Sequence, residues 1–296
     1  MTLMTERPSP SPAPGYAPAS GRPPRITRPH PATAAIPVAA TAVAGIVATV
    51  WVALHTVFGQ HYDDLAMRVL DGGTSGLNDR LVHLLEQVSV GSAAIALAAM
   101  IAVAAVRGRF RLAGAAIVLV LGANLTTEVL KHYLLTRPDL GADIGTSATI
   151  NTLPSGHTTV VFSLVLAAVL VSPRALRWLV TFAGSAVGGL TGLATVIAGW
   201  HRPSDVVAGL LVTLAWAALV SAFVAGTARD GAGRHSGSFS AMLGGAVAAL
   251  GVIIYGFGWT AGPDASRIIP VTAAVIAAVA ALSVSSYATL VSRTSN

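Results

Sequence analysis

The chain has no cysteine. Disulfides and thiolate metal sites are thereby excluded, and the redox compartment stays undetermined. Charge is scarce as well: Asp, Glu, Lys and Arg make up 10% of 296 residues, against about 25% in an ordinary soluble domain. Lysine occurs once, as Lys131. Apolar residues fill the gap: 54% of the chain is hydrophobic and the mean hydropathy is +0.71. Such a chain is an integral membrane protein made of several apolar spans rather than one water-facing core. The expected fold class is all-α, a polytopic membrane helix bundle.

Residues 1–32 hold much of the proline, as in "PSPSPAPGYAPASGRPPR". This segment cannot bury enough apolar surface to fold and reads as a disordered cytoplasmic tail. It lacks the short apolar core and cleavage site of a signal peptide. Apolar length then predicts eight spans, at roughly 34–58, 86–106, 112–135, 157–172, 178–200, 205–226, 241–259 and 268–290. A helix needs about 20 residues to cross the hydrocarbon, so the fourth is short.

Positive charge orients the spans. With the amino terminus in the cytoplasm, twelve arginines fall inside: Arg7, Arg22, Arg25, Arg28, Arg107, Arg109, Arg111, Arg174, Arg177, Arg229, Arg234 and Arg293. Six basic residues fall outside: Arg68, Arg80, Lys131, Arg137, Arg202 and Arg267. Both termini are therefore expected in the cytoplasm. The same distribution accounts for the net charge of +6 without a nucleic acid partner. Alanine-rich spans and near-exclusive use of arginine over lysine fit a bacterial cell (inner) membrane. The outer segment between spans one and two carries Leu77, Leu81, Leu84, Leu85 and Val88 at helical spacing, interrupted by Gly72 and Gly73. It reads as an amphipathic connector at the membrane surface, or as a lip that guides a lipid.

Three polar clusters fall on the outer face. "EVLKHYLLTRP" closes span three. Proline pushes the residue before it out of the helical region, so the helix is expected to end near Thr136 with Arg137 on a loop. Lys131 and Arg137 can be interfacial anchors or ligands for an anion. Glu128, three residues before Lys131, is expected to pair with it. "PSGH" opens span four: Ser155 suits an N-cap, and Gly156 and His157 leave free amides at a helix start that attracts anions. A plain capped helix reads the same way. "GWHRPSD" lies between spans five and six. His201 and Asp205 are four apart and meet on one side of a helix starting near Pro203. A carboxylate on Nδ1 leaves Nε2 as base or nucleophile, although many His–Asp pairs are structural. Together, two cations, an amide-lined helix start and two histidines at one depth match the needs of metal-free phosphoryl transfer.

In these residues the chain resembles the type 2 phosphatidic acid phosphatase family, in its bacterial membrane-embedded branch of lipid phosphatases. The family pattern is Lys, six residues, Arg-Pro; then Pro-Ser-Gly-His; then Ser-Arg, five residues, His, three residues, Asp. Pro154-Ser155-Gly156-His157 is complete here, and His201 and Asp205 match the third block. Only five residues separate Lys131 from Arg137, and the Ser-Arg pair falls on Ala194 and Thr195. Arg202 is a candidate replacement for the arginine missing there. A charge-assisted contact is worth about 1.5–3 kcal/mol, so activity could survive its loss with an altered substrate preference, and the sequence leaves open whether the missing arginine abolishes or retunes activity.

The resemblance implies a lipid phosphatase with no metal and no cofactor. His201 is implied as nucleophile, Asp205 as its partner and His157 as proton donor to the leaving group. Lys131, Arg137, Ser155 and Gly156 are implied as phosphate ligands. The substrate expected is a polyprenyl or glycerolipid phosphate in the bilayer. The expected layout is a six-helix phosphatase core over 33–226 and two further transmembrane helices with a short tail over 227–296. Two other readings stand beside it: a non-catalytic lipid-phosphate binder or transporter, and a phosphotransferase to an alcohol. A metal held by His157, His201 and Asp205 is disfavoured because Lys131 and Arg137 repel a cation.

Overall fold

The computed structural model describes residues 31–71, 76–141, 150–225 and 265–294. Every regular element among them is a helix. In chain order these are α1 (Pro31–His55), α2 (Val57–Leu70), α3 (Gly76–Glu86), α4 (Val90–Val106), α5 (Phe110–Val129), α6 (Gly156–Val171), α7 (Arg177–Ile197), α8 (Pro203–Ala225) and α9 (Ala265–Thr294). A five-residue π turn, Leu130–Leu134, extends α5. Five helices (α1, α5, α7, α8 and α9) are long and apolar enough to cross a membrane, while α4 and α6 are apolar but shorter. The chain is an integral membrane helix bundle.

Helices stand at seven of the eight expected spans. The expected seventh, 241–259, lies outside the described residues, as do residues 1–30 of the expected tail. Boundaries moved where local chemistry acts. Ser89 and Ser92 form a capping box that starts α4 at Val90 rather than near 86. Leu135 is already extended, with φ −108° and ψ 132°, so the helical run ends at Leu134, two residues short of Thr136.

The outer connector is more than a surface helix. Thr56 caps α2, its Oγ1 accepting from the Gly59 amide at 2.9 Å. At Gly59 the chain folds back so tightly that a methyl group would stand 2.0 Å from the Val52 carbonyl oxygen. The turn brings α2 across the end of the bundle, burying Gln60, Asp63, Asp64, Ala66 and Leu70. Phe58 stays 76% exposed. A polar stripe at 60, 63 and 64 therefore faces inward, the reverse of a helix that floats on its apolar side. Of the two readings of this segment, α3 supplies the helical spacing at Leu81, Leu84 and Leu85, whereas α2 is part of the bundle.

Within lipid, helices gain no hydrophobic driving force against one another, and close van der Waals packing must substitute. The α7 glycines meet this need at four-residue spacing. A methyl on Gly184 would lie 2.5 Å from Val165, one on Gly188 2.5 Å from Phe162, and one on Gly192 2.4 Å from Val206. Hydroxyl and amide groups add polar links. Thr127 and Thr159 share a hydrogen bond of 3.0 Å between α5 and α6, and the Trp216 indole donates to Thr126 Oγ1 at 2.9 Å between α8 and α5. Phe162, Leu166, Leu193, Leu210, Ile276 and Tyr287 fill the fully buried centre. At one end of the bundle Ala35, Ala218 and Leu290 pack together. At the other, the ends of α1, α5 and α7 meet the starts of α6 and α8.

Candidate active site

The end of α7 is shaped by Gly199, whose φ of +69° turns the chain through the left-handed region. The amides of Trp200 and His201 then reach back to the Thr195 carbonyl at 3.0 and 3.2 Å. Pro203, suited to the first helical position, opens α8. This brief link sets His201 against the first turn of α8. Its Nδ1 lies 3.2 Å from Asp205 Oδ2. The same oxygen accepts from Thr152 Oγ1 at 2.6 Å and from the Arg202 amide at 2.9 Å. A carboxylate only accepts, so in the neutral ring Nδ1 carries the proton and Nε2 the lone pair. His201 and Asp205 are both buried.

Ser155 starts α6. Its Oγ accepts from the Thr158 amide at 3.3 Å and from Thr158 Oγ1 at 3.0 Å, and its own amide donates to the Asp205 carbonyl at 2.9 Å. It joins two motif segments and has no exposed surface. One residue on, His157 is half-buried and tilts against Trp200, with ring centroids 5.1 Å apart. The His157 and His201 rings are 6.3 Å apart, edge to face. Two imidazoles from distant parts of the sequence thus stand side by side.

Lys131 reaches the same helix start from the π turn. A methyl on Gly156 would stand 3.7 Å from Lys131 Nζ and equally 3.7 Å from Glu128 Oε1. Asn151 holds this geometry by donating through Nδ2 to the Lys131 and Leu135 carbonyls at 3.2 and 3.0 Å, which satisfies the end of α5. The expected Glu128–Lys131 pair is not formed. Glu128 Oε2 instead meets His132 Nε2, four residues on, at 3.1 Å.

Arg137 sits on a loop, as its proline neighbour requires, but it is buried against α2. Its NH2 lies 3.2 Å from both oxygens of Asp64. Arg202 donates through Nε to Asp64 Oδ1 at 2.6 Å, and through NH1 to the Ile150 carbonyl at 3.2 Å and to Thr152 Oγ1 at 3.3 Å. One carboxylate therefore serves two guanidiniums, whose side chains are 2% and 4% exposed. Two buried like charges repel unless an anion stands between them. Arg202 is thus committed to Asp64 and Thr152, while Thr195, where the family pattern has arginine, is buried with its hydroxyl donating to the Gly192 carbonyl at 2.7 Å.

Asp63, Asp64, Gln60, Asn151 and Thr152 were not among the expected site residues. Gln60 Nε2 ties α2 to the loop after Arg137, donating to the Pro138 carbonyl at 2.7 Å. Asp63 accepts from the Ser204 amide at 3.2 Å and from the Ser204 hydroxyl, so it caps the start of α8 from outside. The sequence offered only a faint signal: Gln60, Asp63 and Asp64 follow helical i, i+3, i+4 spacing, but His61 and Tyr62 between them are polar as well.

Burial, followed by the charge of Asp205, pushes the Asp63 carboxyl up to about 7, against the Ser204 hydrogen bonds. The folded chain holds this proton more tightly than the unfolded one. The group's favourable contribution is thus complete below the ordinary value of 3.8 and is lost as pH rises toward 7. Asp63→Asn should flatten the decline in thermal stability between those values. An unchanged pH dependence of melting in detergent would contradict this.

A membrane helix bundle that gathers two imidazoles, a lysine and a helix start at one end has the parts for chemistry on an anion at the bilayer surface. Residues 112–229 match the family model of the PAP2 superfamily. The match takes in α5 to α8 and all three motif segments, and leaves α1 to α4 and α9 outside. No curated protein and no solved structure matches the chain significantly.

Proposed function

We propose that this protein is an integral membrane lipid phosphatase that hydrolyses a phosphate or pyrophosphate head group through a phosphohistidine on His201, without metal. The superfamily match supports phosphatase chemistry on lipid phosphates. The observation that carries the mechanism is the pair of imidazoles 6.3 Å apart, only one of which sits on a carboxylate. That asymmetry separates their roles. The Nε2 lone pair of His201 attacks phosphorus, and the bond from phosphorus to the leaving oxygen breaks. His157 gives that oxygen its proton. Positive charge develops on the His201 ring, and Asp205 stabilises it. Water then attacks phosphorus, His157 takes its proton, the phosphorus–nitrogen bond breaks, and phosphate leaves.

Lys131 and the Gly156 amide are the proposed direct holders of the phosphoryl oxygens. Arg137 and Arg202, engaged with Asp64, contribute positive field from behind rather than open contacts. Ser155 fixes the helix start. A polyprenyl or glycerolipid phosphate fits a site at the end of a bundle whose flanks carry exposed apolar side chains such as Phe58, Tyr133 and Leu134. Arg107, Arg109, Arg111, Arg174 and Arg177 lie at the opposite end of the bundle from the site. By the positive-inside rule this favours an active site on the outer face of a bacterial cell membrane with both termini in the cytoplasm.

The test is phosphate release from polyprenyl and glycerolipid phosphates by purified protein in EDTA, with trapping of an acid-labile phosphoprotein. Turnover with a phosphoprotein supports the reading. Binding without turnover would establish instead a lipid-phosphate binder, which the buried Thr195 in the place of an arginine favours. Transfer of label to an added alcohol in preference to water would establish a phosphotransferase.

A further inference from the structure

The nucleophile proposed above is connected to a residue that lies outside the superfamily match and outside all three motifs. Asp64 Oδ1 accepts from Arg202 Nε at 2.6 Å. Arg202 NH1 donates to Thr152 Oγ1 at 3.3 Å. Thr152, its oxygen taken as acceptor, donates its own proton to Asp205 Oδ2 at 2.6 Å. Asp205 Oδ2 in turn faces His201 Nδ1 at 3.2 Å. The chain of hydrogen bonds runs from α2 to the imidazole without a gap.

We propose that Asp64 is a positioning residue for His201, acting through Arg202 and Thr152 to hold Asp205 and thereby the tautomer of the imidazole that leaves Nε2 free. This rests on the reading of His201 as nucleophile for its catalytic consequence, though not for its structural one. Each link has a direction. A guanidinium can only donate, so it uses Thr152 as acceptor and turns the hydroxyl proton toward Asp205. Asp205 Oδ2 then stays aligned on Nδ1, with the Arg202 amide as a second donor at 2.9 Å.

Without Asp64, the Arg202 guanidinium loses its 2.6 Å contact while still sharing a buried space with Arg137. It is then repelled from the place where it orients Thr152. The arrangement explains how a chain with threonine at position 195 still fixes its third motif: an arginine beside the histidine is held by a carboxylate on a helix before the matched region. Asp64 touches no reacting atom in this scheme.

Two measurements test it on the full-length protein in nanodiscs. The first is the nitrogen-15 spectrum of labelled histidine at alkaline pH, with His201 assigned by its absence in His201→Ala. The wild type should show a protonated Nδ1 and a bare Nε2. Asp64→Asn and Thr152→Val should each give a mixture of tautomers. The second is single-turnover phosphoenzyme formation, in which amplitude counts competent sites and the rate constant reports chemistry. Both variants should keep the amplitude and lower the rate constant on the order of 10–100-fold, as loss of alignment at a reacting centre does.

A folded Asp64→Asn or Thr152→Val protein with the wild-type tautomer and rate overturns the proposal. So does a fall in amplitude alone, which would mark Asp64 as a purely structural residue. Should Asp64→Asn not fold, Thr152→Val decides alone, since it removes one neutral hydroxyl and leaves every charge in place. A wild type that forms no phosphoenzyme defeats the phosphatase reading, while the tautomer comparison still decides the role of Asp64.

Discussion

His201→Ala is expected to abolish phosphate release from a lipid phosphate and to leave no acid-labile phosphoprotein. The fall should be at least about 10³-fold, as for removal of a nucleophile that acts as a unit with its partner. The size follows from the chemistry. Uncatalysed monoester hydrolysis is so slow that enzymes accelerate it by up to about 10²¹-fold. No slower residual path is then measurable. His157 is a poor substitute, because its ring is 6.3 Å from that of His201 and it is the other imidazole that holds the Asp205 carboxylate. The fold should survive. Asp205 keeps the Thr152 hydroxyl and the Arg202 amide as donors, so the alanine variant should match the wild type in circular dichroism and elution volume. Wild-type turnover in a folded His201→Ala protein would remove the covalent mechanism altogether.

His157→Ala should give the second largest loss, with a signature that loss of binding cannot produce. A positioned acid contributes about 10²–10⁴-fold to a step that needs its proton. With a lipid phosphate both half-reactions need His157, once as acid and once as base, and both should slow. With an activated ester such as p-nitrophenyl phosphate the leaving group departs without a proton. Phosphoenzyme should then form at close to the wild-type rate and accumulate, because water still lacks its base. Equal losses on the activated and the lipid substrate would contradict the acid–base role and leave His157 as a ring that packs on Trp200.

The membrane class, the helices at seven expected spans and the three motif segments were all readable in advance, because apolar length and local capping chemistry are properties of contiguous residues. Ser155 reads as an N-cap from its neighbours alone and is one. Arg137 reads as a loop residue from Pro138 and is one. The Glu128 pairing was misread within a single helical turn, where Lys131 and His132 both stand within reach and geometry chose the latter. The partners of Asp64 were not legible, although its helical spacing with Gln60 and Asp63 was. Its partners are 73 and 138 residues away, and no local rule says which side of α2 will face a carboxylate toward two arginines.

The sequence by itself determined that this chain lives in a bilayer, where its helices run, and which short segments carry ionisable groups at one end of them. Those properties depend on composition and on periods of a few residues. Only the tertiary structure decided that α2 turns its polar stripe inward, that one carboxylate bridges two buried guanidiniums, and that the imidazoles of α6 and of the α7–α8 link come within 6.3 Å. Those outcomes depend on how buried charge is compensated, and the compensating group can come from anywhere along the chain.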